Sequence, residues 1–190
     1  DYSRCGQLYV SHTDRSAAHL DELADELTSV GSPAHVVRGT DLQAEIGSAL
    51  FAAGLVVERS GGLHPARFHA GLVRVAQDAG ASLHAHTPAI AVQRTGSTWT
   101  VATPRGSVET GAVLVATNAY ADGLVPALRR RVLPMGSFII ATEPLDPTLA
   151  AEVLPTRRMV FNDRNLLWYW RLDPEGRMVF GGRKRLGGVS

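Results

Sequence analysis

The 190-residue sequence predicts a mixed fold, α+β toward both ends and α/β in the middle, and three observations predict it. The first sixty residues interleave short alternating apolar runs with amphipathic helical stripes. A helix-to-strand passage over 65–86 and a continuous apolar run over 112–116 enclose three short strands. The last third reads as strands joined by a tight turn, with one helix among them.

Gly6–His12 alternates Leu8 and Val10 against Gln7, Tyr9 and Ser11, the pattern of a half-buried strand. Thr13 or Asp14 caps the helix that follows. Its apolar positions Ala17, Leu20, Leu23, Ala24 and Leu27 recur at helical spacing, with Asp21, Glu22, Asp25 and Glu26 on the wet face. Gly31 ends it, with Pro33 close behind. His35–Arg38 reads as a strand. Thr40-Asp41-Leu42-Gln43 has the form of a capping box opening a short helix that stops at Gly47. Leu50–Glu58 is a strand interrupted by Gly54.

Gly61-Gly62 marks the first boundary. Pro65 suits a first helical turn, and Phe68, Leu72, Val75, Ala76 and Ala79 form a stripe expected to be buried. Gly80 terminates the helix and Ser82–His86 follows as a strand, half of an α/β crossover. Ala89–Arg94, Thr98–Thr103 and Ser107–Thr110, separated by Gly96-Ser97 and Pro104-Arg105-Gly106, describe a β-meander. Ala112–Ala116 fits a strand buried on both faces. It ends at Thr117-Asn118-Ala119-Tyr120, before a short helix through Leu128. Met135–Thr142, Met159–Asn162, Leu166–Leu172 and Arg177–Arg183 read as strands of an antiparallel sheet, covered by a helix near Thr148–Val153. Asp173-Pro174-Glu175-Gly176 is the turn between the last two.

At 45% hydrophobic residues the chain can bury a core, and a net charge of +1 directs it toward neither nucleic acid nor an anionic membrane. Cys5 is the only cysteine, which excludes an internal disulfide and a thiol metal cluster. A reducing, cytoplasmic setting fits. No apolar stretch approaches the roughly 20 residues of a bilayer span, and no leader peptide is visible. Without an initiator Met or a concluding element after Gly187-Gly188-Val189-Ser190, the chain is expected to be an internal fragment.

No Gly-x-Ser-x-Gly elbow, P-loop or Gly-x-Gly-x-x-Gly turn occurs. The basic, glycine-rich Gly181–Gly188 follows an antiparallel strand with no helical pattern after it, so it is not read as a nucleotide loop. His84 and His86 share a strand face but lack a third ligand, and no metal site is assigned. Val113–Ala116 ending in Thr117-Asn118 has the form of a strand edge where α/β proteins place ligands, or of a plain turn with Asn118 as a cap. In Trp168-Tyr169-Trp170, alternation places Tyr169 with Leu167 and Arg171 on one face, and Trp168 with Trp170 on the other. Such residues suit an aromatic wall that holds a cationic amine, or an ordinary aromatic core.

Taken together, Gly61–Phe68, Gly80-Ala81, Val113–Tyr120, Ala141–Leu145 and Phe180–Arg183 resemble the D-amino-acid-oxidase-like FAD oxidoreductases. The branch with gamma-glutamylputrescine oxidases is most similar, with glycine and sarcosine oxidases more distant. The resemblance implies part of an FAD-binding, Rossmann-like domain with a β-meander, plus an antiparallel-sheet substrate domain. Residues 1–60 and 131–190 would be substrate domain, and 61–130 the middle of the FAD-binding domain. It implies FAD contacts at Thr87, Pro88 and Ala89 and at Ala116, Thr117 and Asn118. It also implies substrate contacts at Tyr169, with Trp168 as the alternative register, and at Arg183, whose guanidinium suits a carboxylate. The implied reaction oxidises the C–N bond of a small amine or amino acid to an imine, with hydride passing to flavin. No catalytic base is assigned, and the fragment alone is expected to be inactive. A non-catalytic module derived from the fold, or an FAD dehydrogenase using an acceptor other than oxygen, are the alternatives. The oligomeric state is left open.

Overall fold

The computed structural model describes residues 2–118, 120, 123–133 and 135–186, with side chains described as far as Gly182. Ala119 and Gly187-Gly188, quoted above, lie outside the described residues. In chain order the elements are β1 (Tyr2–Ser3), β2 (Gln7–Ser11), α1 (Asp14–Ala17), α2 (Leu20–Ser29), β3 (Ala34–Val37), α3 (Gly39–Glu45), β4 (Ala53–Val57), β5 (Gly62–Leu63) and α4 (Pro65–Asp78). The meander β6 (Ala91–Thr95), β7 (Thr98–Thr103) and β8 (Gly106–Thr110) follows, then α5 (Pro126–Arg129) and β9 (Met135–Pro144). α6 (Pro147–Val153), β10 (Met159–Asn162), β11 (Tyr169–Leu172) and β12 (Arg177–Leu186) complete the series.

Two compact units divide the chain, residues 1–71 with 137–184 and residues 72–136 with 185–190. In the first, one seven-stranded sheet runs β3-β4-β2-β10-β11-β12-β9. The first and last thirds of the sequence, read as α+β regions on either side of the middle, share this one sheet. β2 lies parallel to β10, with Leu8 opposite Val160 and Val10 opposite Asn162, while β4 and β11 flank this pair antiparallel. The sheet is thus mixed rather than antiparallel. A parallel pair joins strands remote in sequence, which no local turn signal announces.

Alternation along the strands fills two cores. Leu8, Val10, Val56, Val160 and Leu172 pack with Leu42 and Ile46 from the α3 region and with Ala150 and Leu154 from the α6 region. On the opposite face Ala53 and Leu55 meet Ala17, Leu20 and Ala24, the buried stripe of α1 and α2. Burying such aliphatic side chains stabilises by about 1.5–3 kcal/mol each. The expected first helix breaks after Ala17. Thr13 caps α1 in a capping box with Ser16, and α2 restarts at Leu20. α3 begins at Gly39 with Arg38 as N-cap and no side-chain cap bond, so Thr40 is not the cap expected of it.

In the second unit the meander forms as the spacing predicts, with Ala91 opposite Ala102 and Trp99 opposite Thr110. The two strands expected on either side of it do not form. Residues 81–90 and 112–117 carry no strand, and His86 adopts φ 53°. An apolar run becomes a strand only where another strand accepts its backbone bonds, and among the described residues none pairs with these. The α4 stripe is also exposed rather than buried, with Phe68, Leu72 and Val75 at 55%, 52% and 66% exposure.

Candidate functional site

The sequence-derived site residues fall in both units, Trp168, Tyr169 and Arg183 in the first and Thr87–Ala89 and Ala116–Asn118 in the second. In the first unit, Trp168 and Tyr169 stand where the β10–β11 loop enters β11, at the carboxyl end of the neighbouring β10. Tyr169 lies opposite Phe161 on one side and Gly181 on the other. A Cβ added at Gly181 would collide with the Tyr169 ring, and one added at Gly182 would meet Trp168 Cδ1 at 2.5 Å. Adjacent glycines on β12 therefore create the space in which the two aromatic rings lie flat on the strand. The rings occupy opposite sheet faces, as alternation requires.

On the Tyr169 face, Tyr9 and Phe161 stack with centroids 4.6 Å apart, and the Tyr169 hydroxyl lies 3.2 Å from Ser137 Oγ. On the other face, a row of rings runs Phe51–Trp170–Phe180–Trp168, with centroid spacings of 6.1, 5.7 and 6.0 Å. Arg164 covers the exposed end of this row, its Cζ 5.0 Å from the Trp168 ring centroid. Arg183 falls within β12, and its side chain lies outside the described residues.

Behind the loop sits a polar network that sequence reasoning missed. Asp163 Oδ1 lies 2.7 Å from His12 Nδ1, and Oδ2 accepts bonds from Ser11 Oγ at 2.8 Å and the His12 amide at 3.2 Å. Ser11 is fully buried, and its hydroxyl lies 2.6 Å from Ser16 Oγ. Burial works to raise the Asp163 pKa. The surrounding donors, Ser16, His12 and Ser11, outweigh it and hold the carboxyl well below the usual carboxylate range. Next in sequence, buried Asn162 closes the loop. Its Oδ1 accepts the backbone N–H of Trp168 at 2.9 Å and that of Arg164 at 3.4 Å, and the backbone N–H of Asn162 donates to Trp168 O at 3.1 Å. Nδ2 of Asn162 is a buried donor with no protein partner among the described residues. Asp163 and His12 are 151 positions apart, and Ser11-His12 reads locally as the end of a strand, so no spacing signal exposes the contact.

A separate ion-pair cluster fastens the far end of β10, where Arg158 bridges Glu45 at 2.7 Å and Glu58 at 3.3 Å. Burial works to lower the Arg158 pKa, and the two carboxylates raise it. Its donors are taken by these groups and by Cys5 O, so this arginine is structural.

In the second unit Thr87, Pro88 and Ala89 lie in the coil before β6. Thr87 Oγ1 donates to Ala85 O at 3.0 Å. Ala116, Thr117 and Asn118 lie in the coil after β8, where Asn118 adopts φ 50° and Thr117 O accepts the Tyr120 amide at 2.9 Å. The amides of Thr87, Ala89, Ala116 and Asn118 have no partner among the described residues. Among the described residues no group of three His, Cys, Asp or Glu is placed to hold a metal, and no helix is long and apolar enough to cross a membrane.

Comparison with known proteins gives this geometry a family. The family described as FAD dependent oxidoreductase (DAO) matches residues 1–189. A probable oxidoreductase, OrdL, from Haemophilus influenzae is 34% identical over 146 residues, which are 75% of this chain and 34% of that protein. Gamma-glutamylputrescine oxidoreductase from Escherichia coli is 29% identical over 184 residues, 96% of this chain and 43% of that protein. Among solved structures, glycine oxidase from Geobacillus kaustophilus superposes with a TM-score of 0.78 at 17% identity, covering 100% of this chain and 50% of its own. The chain thus spans between about a third and a half of the length of these proteins. With a family match along nearly its whole length, the chain belongs to the DAO family of FAD-dependent oxidoreductases.

Proposed function

We propose that the protein carrying this chain oxidises the C–N bond of a small amine or amino acid to an imine, with FAD as its cofactor. The observation that carries the reading is the aromatic pair Trp168–Tyr169, laid over Gly181 and Gly182 at the end of β10, in a chain of this family. Tyr169, with Trp168 as the alternative, forms the substrate-side wall, and Arg183 pairs with a substrate carboxylate. FAD, when bound, supplies the hydride acceptor. The aromatic wall excludes water and holds a cationic amine against its π-face. Thr87–Ala89 and Ala116–Asn118 border the cofactor through their open amides. Residues 1–60 and 131–190 belong to the substrate domain and 61–130 to the FAD-binding domain, a division supported at coarse level by the two compact units. The reading places the enzyme in the cytoplasm.

The test is direct. The complete protein is purified and mixed anaerobically with a panel of amines and amino acids. Bleaching of a flavin band near 450 nm by at least one of them is the expected result. Reoxidation by oxygen with release of hydrogen peroxide identifies an oxidase, and turnover only with an artificial acceptor identifies a dehydrogenase. A protein that folds but binds no flavin would overturn the reading in favour of a non-catalytic module.

A further inference from the structure

The network behind the β10–β11 loop has a shape that packing alone does not require. Two neighbouring residues hold the loop from opposite directions. Asp163 ties it back to the β2–α1 corner through His12 Nδ1 at 2.7 Å, Ser11 Oγ at 2.8 Å and the His12 amide at 3.2 Å. Asn162 ties it across to Trp168 through both the main chain at 3.1 Å and its side-chain oxygen at 2.9 Å. These anchors bracket the loop Asp163–Leu167, and Trp168 leaves it for β11 packed against Gly182. The His12 ring also meets Phe51 edge-on at 4.9 Å, and Phe51 begins the row of rings that ends at Trp168. Asp163 therefore reaches the same residue by two routes, one through the loop backbone and one through the aromatic row.

We propose that Asp163 is a positioning residue for the substrate wall, acting through His12, Ser11 and the Asn162-closed loop to set Trp168. The proposal rests on the reading in which Trp168, the alternative to Tyr169, forms that wall. A carboxylate suits the task because it accepts several bonds at once, and charge-assisted bonds are shorter and stronger than neutral ones. Support of this kind around a binding group resembles the outer ring of partners that orients metal ligands, whose loss alters affinity without touching the ligand itself. Asp163 need not contact substrate for its removal to be felt there.

A double-mutant cycle on the complete, flavin-loaded protein tests this, using the amine that bleaches the flavin fastest. Asp163→Asn is expected to raise KM by about tenfold, with kcat changed by less than about threefold and flavin content unchanged. In a Trp168→Ala background the same substitution is expected to move KM by less than about twofold, because its route to the substrate is already gone. Ser11→Ala, which removes one donor, repeats the cycle with an effect of about threefold. It takes over if Asp163→Asn yields no flavin-loaded protein. Equal effects of Asp163→Asn in both backgrounds would overturn the proposal, as would an unchanged KM. Parallel loss of kcat, KM and flavin content would show a merely structural role and would overturn it too. If Trp168→Ala leaves KM unchanged while the wild type still oxidises amines, Trp168 is not the wall, whatever Tyr169→Phe does. The proposal then falls, but the oxidoreductase reading stands.

Discussion

The two units handle similar apolar sequence in opposite ways. Leu55-Val56-Val57 sits in β4, flanked by β2 and β3, with Leu55 and Val56 1% and 0% exposed. Val113-Leu114-Val115 is at least as apolar, yet it forms no strand, and Leu114 is 90% exposed. Every fully buried hydrophobic among the described residues lies in 1–71 or 137–184. The difference is partnership. β-propensity expresses how a residue fits a surface already provided by neighbours, so the same residue types stay extended and unpaired where no strand receives them. The first unit brings its own neighbours from both ends of the sequence. The second contains only the meander as a closed set.

That contrast predicts a large asymmetry in cofactor binding. FAD titrated into the 190-residue chain is expected to leave flavin fluorescence unquenched at micromolar concentration, because the chain contains no Gly-x-Gly-x-x-Gly turn to hold the pyrophosphate. Tight binding by this chain alone would show that the second unit is more complete than its unpaired runs suggest.

Core truncation sharpens the same comparison. Leu55→Ala is expected to cost about 2–5 kcal/mol in urea unfolding, and Leu114→Ala less than about 0.5 kcal/mol in this chain. In the complete, flavin-loaded protein Leu114→Ala is expected to be costly, and a neutral effect there too would mean that the run is never buried.

Smaller, and confined to the first unit, is the effect of Asp163→Asn. It is expected to destabilise by about 1–3 kcal/mol at pH 7, since it weakens bonds to a charged acceptor that is largely buried. The sign with pH follows from a folded pKa held below the unfolded value of about 3.9. The stabilisation from the Asp163 carboxylate is complete above that value and is lost as pH falls toward the folded pKa. The gap between wild type and variant should therefore narrow below about pH 4, as read by thermal melts across pH 3–7. A gap independent of pH would contradict it.

The smallest effect concerns the glycines beneath the wall. Gly181→Ala displaces the Tyr169 ring and is expected to raise KM for the amine by about three- to tenfold, costing roughly 1 kcal/mol of substrate binding. Gly111→Ala, with open space around it, should change nothing.

Much of this was legible in the residues. Leu8 and Val10, the Ala17–Leu20–Ala24 stripe and the meander follow local periodicity, and local periodicity was sufficient for them. The parallel pairing of β2 with β10 was not, because it depends on a contact across about 150 residues. For the same reason the His12–Asp163 network was invisible, since neither residue lies in a spacing that marks a site. The buried stripe expected on α4 failed because amphipathicity states only that a face wants cover, not that cover is present. At the candidate site, the aromatic run and the paired glycines were each readable, but that each ring lies over one glycine required the β11–β12 register.

The measurement that bears most directly on the central claim is the visible spectrum of the complete protein, before and after anaerobic addition of a small amine. The expected spectrum shows a flavin band near 450 nm that bleaches with substrate, more slowly at low substrate when the wall residue, Tyr169 or Trp168, is replaced by Ala. A well-folded protein that stays colourless in the presence of added FAD would contradict it.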